Sequence, residues 1–530
     1  MSLLVEVQSK SKPVSIRSGS TRDLAAALSL ANLCYLRVWS ELLTYTRSDT
    51  YLMKAPPGPA AYLAVMCNVL LLGGCLWALA IMARRWLPRT LRAGEIGFLI
   101  LLIVPLNGLR SVLADHYAYL KSPLLDLIGA RGVMLLAAGL AMAGVVALIF
   151  FHRRLTHLAS TVLVALFPFC ALTFGQALWK ISRYDAAGFA SKPAAPLLAT
   201  VNPWRVLWFV CDEWDYRLSF IDRDPKLQLP EIDRLRQESI FAVNAYPPGP
   251  ETPISIPGYY TGRLVERVRY NGPSDLEVRY RGAAAAVPWG SQPNYFERAR
   301  QLGVNTALIE WFHPTCRVLD GLTFCEWWEL GMQHNSMGAR FRELLPNQTR
   351  SLFETNLLSL FGQSLPAKQH IRTYNAIVQE GIRVAQDPRY GFTIVHLPIP
   401  HAPFVFDRRN GQFTLRNSPI RGYLDHLALL DRTIGQIRRA LESSGVWDKT
   451  TIVFTSDHSY REAALLDGKS DRRIPYLVKM AGQSQGAVYS QPFNTVLTGD
   501  LLLATLRGQM QTPDAAIRWL DQNRSRFTIN

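Results

Sequence analysis

Most of the long apolar runs of this 530-residue chain lie in its first 180 residues. Five stretches, about 24–46, 59–83, 94–113, 132–151 and 157–179, each approach the ~20 apolar residues that cross a bilayer core. The pattern predicts a helical membrane domain of about five spans followed by a soluble domain. The first stretch carries Arg37 and Glu41 one turn apart. They read either as a polar site lining a lipid-access groove or as an intrahelical pair near the membrane boundary. Pro105 and Asn107 interrupt the third, which a membrane helix tolerates where neighbours satisfy the freed backbone groups.

The net charge of +16 points first to nucleic acid. No basic stripe with interleaved aromatics supports that, and no nucleic-acid partner is expected. The charges instead cluster beside the apolar spans, where they also attract anionic lipid head groups. Lys10, Lys12, Arg17, Arg22, Arg84, Arg85, Arg89, Arg92, Arg153 and Arg154 fall on one side of a five-span layout, and Arg47, Lys54, Arg110, Lys121 and Arg131 on the other. This bias predicts a cytoplasmic N-terminus and a soluble half outside the cytoplasmic membrane. The tail before the first span is long and lacks an A-x-A site, so that span is expected to be an uncleaved anchor. The expected division is a transmembrane domain (1–180), an Ala/Pro-rich linker with one interfacial helix (181–203) and a catalytic domain (204–530).

In the soluble half, strand-like runs at 205–211, 239–245, 305–310, 392–397, 451–456 and 475–480 alternate with helical periodicity at 228–238, 293–302, 340–361, 366–386, 420–444, 498–507 and 512–523. Such alternation predicts an α/β/α sandwich around a mostly parallel sheet. No P-loop or dinucleotide fingerprint is present.

Chemistry-bearing residues follow the strand runs, where open α/β sheets place their ligands. The run 451–456 ends in Ser456-Asp457-His458, a carboxylate and an imidazole suited to a divalent metal. The run 205–211 leads into Asp212 and Glu213, which are costly to bury unpartnered. Thr252 stands in PETPISIPGYYTGR directly before a short helix, whose N-terminus favours alkoxide and phosphate; as a bare N-cap it would be only structural. Ser255 is the alternative nucleophile. His396 ends the run at 392, and His401 follows between two prolines that fix its loop.

The order acid, Thr, His, Asp-His resembles the alkaline phosphatase/sulfatase superfamily. The spans followed by an external domain look like the membrane phosphoethanolamine transferases and the lipoteichoic acid synthase-like phosphoglycerol transferases. The resemblance implies that Glu213, with Asp212 as alternative or companion, binds zinc together with Asp457 and His458. It implies that Thr252, five residues before Pro257 of Ser255-Ile256-Pro257, is the nucleophile. Pro400-His401-Ala402-Pro403 looks like the Ser-His-Gly-Pro loop of those transferases. Where they carry a further His, this chain reads LDGKSDRRIP, and Lys469 is similar to the sulfatase lysine that contacts the substrate anion. Their multiple disulfides are missing; a single Cys316–Cys325 bridge is expected. Sulfatase chemistry resembles a Cys/Ser-x-Pro-x-Arg element, and Thr252-Pro253-Ile254-Ser255-Ile256 has neither that Cys nor that Arg.

The expected activity is therefore that of a bacterial inner-membrane phosphotransferase with its catalytic domain in the periplasm. Thr252 attacks a phospholipid donor, with His401, His396 and Lys469 orienting or neutralising the phosphate. A phosphoethanolamine or phosphoglycerol group then passes to an envelope glycan or glycolipid such as lipopolysaccharide. The expected cofactor is Zn2+, with Mn2+ or another divalent cation as alternatives. A phosphodiesterase or phosphatase of the same fold shares every motif, and a non-catalytic glycan-binding relative is the third reading.

Overall fold

Short β-branched and aromatic runs bury both faces, which suits them to the middle of a sheet covered on each side. In the computed structural model, which describes residues 16–86, 91–116, 122–197, 203–329, 340–354, 356, 365–415 and 421–529, they do so. Numbered in chain order, the strands of the central sheet are β1 Val206–Asp212, β2 Ile240–Ala242, β3 Thr306–Trp311, β4 Phe324–Trp328, β5 Phe392–Pro400, β6 Thr451–Ser456, β7 Tyr476–Lys479 and β8 Ala487–Tyr489. Their order is β8-β2-β7-β6-β1-β5-β3-β4 among the described residues. The block β6-β1-β5-β3-β4 is parallel, whereas β7 runs antiparallel to both its neighbours. Trp208 and Val210 on one face and Phe209 and Cys211 on the other each enter a separate hydrophobic core. Four carboxyl ends, those of β6, β1, β5 and β3, thus lie side by side.

Sequence periodicity located β1, β2, β3, β5, β6 and β7 and the helices Pro230–Gln237, Tyr295–Gln301, Leu365–Gln386, Gly422–Ser443, Thr498–Leu506 and Pro513–Asn523. It missed β4 and the antiparallel sheet formed by Val265–Gly272, Asp275–Tyr280 and Val287–Pro288. The strand Val265–Gly272 is exposed or half-buried beyond Val265 and carries three charged side chains, so it shows no apolar run. Cys316 and Cys325 form the expected disulfide, beside β4.

The chain divides into two units whose boundaries cross the expected ones. Thr46–Pro56, between the first and second apolar stretches, belongs to the unit that holds the sheet. Helix Phe341–Phe353 belongs instead to the helical unit. There Leu344 is buried beside Val65 and Tyr35, and the Gln348 side chain donates to the Ala61 carbonyl at 3.0 Å. Of the expected helix 340–361, Phe341–Phe353 is helical, and 357–361 lie outside the described residues. The linker is no free tether. Lys192 and Ala194 donate backbone hydrogen bonds to the carbonyls of Cys316 and Leu322, and its one short helix is the 3₁₀ turn Ala187–Phe189.

The expected count of five spans is not reproduced. Among the described residues, Pro59–Ala83 (25 residues) and Ile149–Ser182 (34 residues) are long and apolar enough to cross a membrane. The turn expected at Arg153-Arg154 is absent, because a single helix, Ser122–Ala165, runs through it and breaks only at Leu166, ahead of Pro168. The first stretch is interrupted at Tyr35, and the third at Leu102 rather than at Pro105. Arg37 and Glu41 pair along one helix at 3.3 Å, as the simpler reading expected.

Candidate active site

Asp212 closes β1, and the chain then turns through Glu213 in the left-handed region (φ 68°). A non-glycine residue there costs on the order of 1–3 kcal/mol and persists only where its surroundings over-determine it. Glu213 N–H donates to Asp457 at 3.1 Å, its carbonyl accepts from Tyr423 at 2.8 Å, and Trp214 N–H donates to Ser456 Oγ at 2.8 Å. The strained turn leaves Asp212 and Glu213 side by side at the sheet edge.

Asp457 and His458 follow β6. The Asp457 Oδ1 atom accepts from Glu213 N–H and His458 N–H, which leaves Oδ2 for Thr252. Thr252 opens the helix Thr252–Thr261, and its hydroxyl donates to Asp457 Oδ2 at 2.7 Å. The same oxygen lies 3.4 Å from Asp212 Oδ1 and 3.3 Å from His458 Nε2. His458 Nδ1 is used by the Ser459 carbonyl at 2.9 Å, so Nε2 faces the cluster. Tyr259 anchors this helix to the Ser456 carbonyl at 2.7 Å. Ser255 points elsewhere, donating to the Gly249 carbonyl at 3.0 Å.

His396 lies within β5, fully buried, with Nδ1 held by Glu310 at 2.7 Å and Nε2 without a hydrogen-bond partner. One ligand atom each from Asp212, His396 and Asp457 lie within 4.8 Å of one another. Two buried carboxylates, an unpartnered imidazole nitrogen and a second imidazole form a donor set that fits a hard or borderline divalent cation. Such a cation would relieve the repulsion between the two acids.

The charges agree with this picture. Burial and the nearby Asp457 push Asp212 up, while His401 and His458 oppose the shift. Asp457 is buried too, yet the imidazoles of His458 and His396 hold it below the usual carboxylate range. Burial alone would lower His396, but Glu310, Asp457 and Asp212 outweigh it and raise it to about 9. His401 is raised likewise, by Asp212 and Glu213 against burial. It is half-buried, flanked by cis peptide bonds at Ile399–Pro400 and Ala402–Pro403, and its ring lies 6.4 Å from that of Trp311.

Lys469 does not join the cluster in the described contacts. Its side chain is 65% exposed and pairs with Asp222 at 3.3 Å. The cation beside Glu213 is Arg461, at 2.9 Å and 52% exposed. Lys469 is drawn away because Arg217 gathers Asp467, Asp222 and the Lys469 carbonyl into one network.

Sequence reasoning also passed over the end of β3. Glu310 accepts from His396 and from the Tyr260 hydroxyl, and Trp311 Nε1 donates to Asp212 Oδ2 at 2.6 Å. His313 is wholly buried beside the Thr252 backbone, and burial lowers it to about 3. An acid ending an apolar strand drew attention at Asp212, and the same signal was present at Glu310.

His426, on helix Gly422–Ser443, props the loop that carries His401. Its Nε2 accepts from Val405 N–H at 2.7 Å, and its Nδ1 contacts the Pro400 carbonyl at 3.2 Å. Burial lowers His426 to about 3. The unfolded chain takes up this proton near pH 6.5, the folded chain only near 3. Stability is therefore complete above about pH 6.5 and falls as pH drops toward 3, by about 1.4 kcal/mol per pH unit for this imidazole. Urea midpoints at pH 7.5 and 5.5 should fall less for His426→Gln than for the parent; equal falls would refute the assignment.

Residues 206–506 match the sulfatase family, and the chain belongs to it. Its α/β unit is thus of the alkaline phosphatase/sulfatase superfamily, a group of metal-dependent enzymes acting on phosphate or sulfate esters. Similar solved structures include a phosphonate monoester hydrolase of Agrobacterium radiobacter (16% identity, 57% of this chain and 74% of that one covered, TM-score 0.40). Others are the phosphonate monoester hydrolase SpPMH from Silicibacter pomeroyi (15%, 58% and 74%, 0.41) and a protein in the alkaline phosphatase superfamily from Vibrio parahaemolyticus (14%, 62% and 70%, 0.38). No curated protein matches the chain.

Proposed function

We propose that the protein is a membrane-bound, metal-dependent transferase. It moves a phospho-alcohol head group, phosphoethanolamine or phosphoglycerol, from a phospholipid to an envelope glycan or glycolipid. The observation that carries this reading is the Thr252 hydroxyl at a helix N-terminus, 2.7 Å from Asp457 and next to Asp212 and His458.

A divalent cation such as zinc, bound by Asp212, Asp457, His458 and His396 with Glu213 adjacent, would lower the pKa of that hydroxyl and neutralise phosphoryl oxygens. Asp457 accepts the Thr252 proton as the Thr252 oxygen forms its bond to phosphorus. The phosphorus–oxygen bond to diacylglycerol breaks, and protonated His401 donates a proton to that leaving oxygen. Arg461, half exposed beside Glu213, is positioned to meet the phosphate in the role first expected of Lys469. An acceptor hydroxyl then attacks the phospho-threonine and gives up its proton to His401; the phosphorus–oxygen bond to Thr252 breaks, and Asp457 returns its proton to the Thr252 oxygen.

Three features support work at the outer face of a bacterial inner membrane. The Cys316–Cys325 bridge suits an oxidising compartment. Leu70, Leu71, Leu79, Leu135, Phe150 and Leu158 expose large apolar side chains, as lipid-facing helices do. The Lys/Arg bias of the N-terminal half favours the same orientation.

The test is the mass of Thr252-containing peptides from protein purified out of its own membranes. A phospho-alcohol adduct on Thr252 is expected, and its mass names the head group. Bare Thr252 together with head group released to water would make the enzyme a hydrolase instead. Bare Thr252 with no metal would leave a non-catalytic relative.

A further inference from the structure

The segment Thr46–Pro56 is short, lies in sequence between two apolar helices, and still belongs to the unit that holds the sheet. Its helix Arg47–Leu52 is closed by a capping box in which Thr46 N–H donates to Asp49 and Asp49 N–H to Thr46 Oγ1. Arg317, 1% exposed, donates to the carbonyls of Met53 at 2.6 Å, Thr50 at 3.3 Å and Tyr51 at 2.5 Å, and to Pro273 at 2.7 Å. A buried guanidinium is costly unless its donors are met. Here a full cationic fork holds this piece of backbone.

What it holds in place is Tyr51. That side chain is completely buried, packs 5.1 Å from the Tyr270 ring, and shares a 3.0 Å hydrogen bond with His313 Nδ1. His313 follows Phe312, a non-glycine residue at φ 82°, so the chain spends strain to turn this ring inward. The ring packs edge-on to Trp289 and lies beside the backbone of Thr252. His313 Nε2 makes no regular hydrogen bond. The Tyr51 hydroxyl is therefore the described side-chain partner that fixes this imidazole. Without it the buried Nδ1 would lose its hydrogen-bond partner, and the ring would have reason to turn.

We propose that Tyr51 is a positioning residue of the active site, acting through His313 to set the first turn of the helix that presents Thr252. The inference rests on Thr252 being the nucleophile. It makes a segment from the N-terminal half a working part of the catalytic unit, so the site is incomplete in residues 204–530 alone.

The test uses the full-length protein in detergent, with a chromogenic aryl phosphodiester as probe. Tyr51→Phe keeps the packing and removes one hydroxyl; kcat should fall about 10-fold, as for other groups that act through a catalytic neighbour. KM and bound metal should stay unchanged. His313→Gln should lose a similar amount, and the double variant no more than the worse single one, because both act through the same contact. A Tyr51→Phe protein that melts earlier but keeps its kcat would mark a purely structural role and overturn the proposal, as would additive losses. Should Tyr51→Phe not fold, His313→Gln with unchanged kcat overturns it alone. An inactive Thr252→Ala beside a fully active Tyr51→Phe overturns this inference only. A fully active Thr252→Ala overturns the nucleophile and this inference with it.

Discussion

Thr252→Ala is expected to lose turnover by about 10⁴-fold or more, the scale seen when a nucleophile is deleted, while its bound metal stays at the parental level. The hydroxyl contributes one oxygen to the cluster, 2.7 Å from Asp457 Oδ2, and its removal leaves the ligand atoms of Asp212, His396 and Asp457, which lie within 4.8 Å of one another, in place to hold the cation. The helix should survive the change, because Tyr259 and Tyr260 pin it to the Ser456 carbonyl and to Glu310 independently of Thr252. Thr252→Ser should restore part of the rate. Activity measured on head-group transfer and metal measured by elemental analysis separate the two properties. Retained turnover in the alanine protein would move the nucleophile to water, since Ser255 is committed to the Gly249 carbonyl.

Asp457→Asn should do the opposite and remove metal and activity together. Asp457 stands at the centre of the site. It receives Thr252 and two backbone N–H groups, and it lies 3.4 Å from His458 Nε2. Replacing one carboxylate oxygen by an amide NH₂ keeps the shape and removes the charge. It also turns a hydrogen-bond donor toward Thr252 where an acceptor stood. Metal occupancy should drop at least 10-fold, and turnover by about 10³-fold or more. The fold should persist, because the amide oxygen can still accept from Glu213 and His458. A metal-free Asp457→Asn protein that turns over at the parental rate would refute the metal assignment.

Much of the site was legible because its residues stand at the ends of apolar strands, a local pattern. Asp212, Asp457 and His458 were found this way, and the parallel block of the sheet aligns their strand ends, whereas His396, read as the end of its run, lies inside a strand that continues to Pro400. Thr252 was legible from a Pro-rich helix start and from its spacing to Pro257. Lys469 was expected at the phosphate because a Gly-Lys element resembles a substrate-binding lysine, whereas its pairing with Asp222 and that of Arg217 with Asp467 join residues distant in sequence. Arg461 sat in the same stretch as Asp457 and carried no signal of its own. Its partner, Glu213, is 248 residues away in sequence. The five-span reading relied on hydropathy with turns assigned at charged pairs. Arg153-Arg154 is such a pair, yet nothing in its local sequence stops a helix.

Sequence alone determined the alternation of strand and helix, the acid–Thr–His–Asp-His order and the Cys316–Cys325 pairing, because each depends on residues near one another or on strand-end position. Tertiary structure decided what needs distant partners. It gave Glu310 to His396, Trp311 to Asp212 and Arg461 to Glu213, and it drew Tyr51 into the wall behind Thr252. The physical reason is that hydrophobic periodicity reports which face of an element is buried, while the hydrogen-bond partner of a buried polar group is set by whatever the fold places within about 3 Å of it.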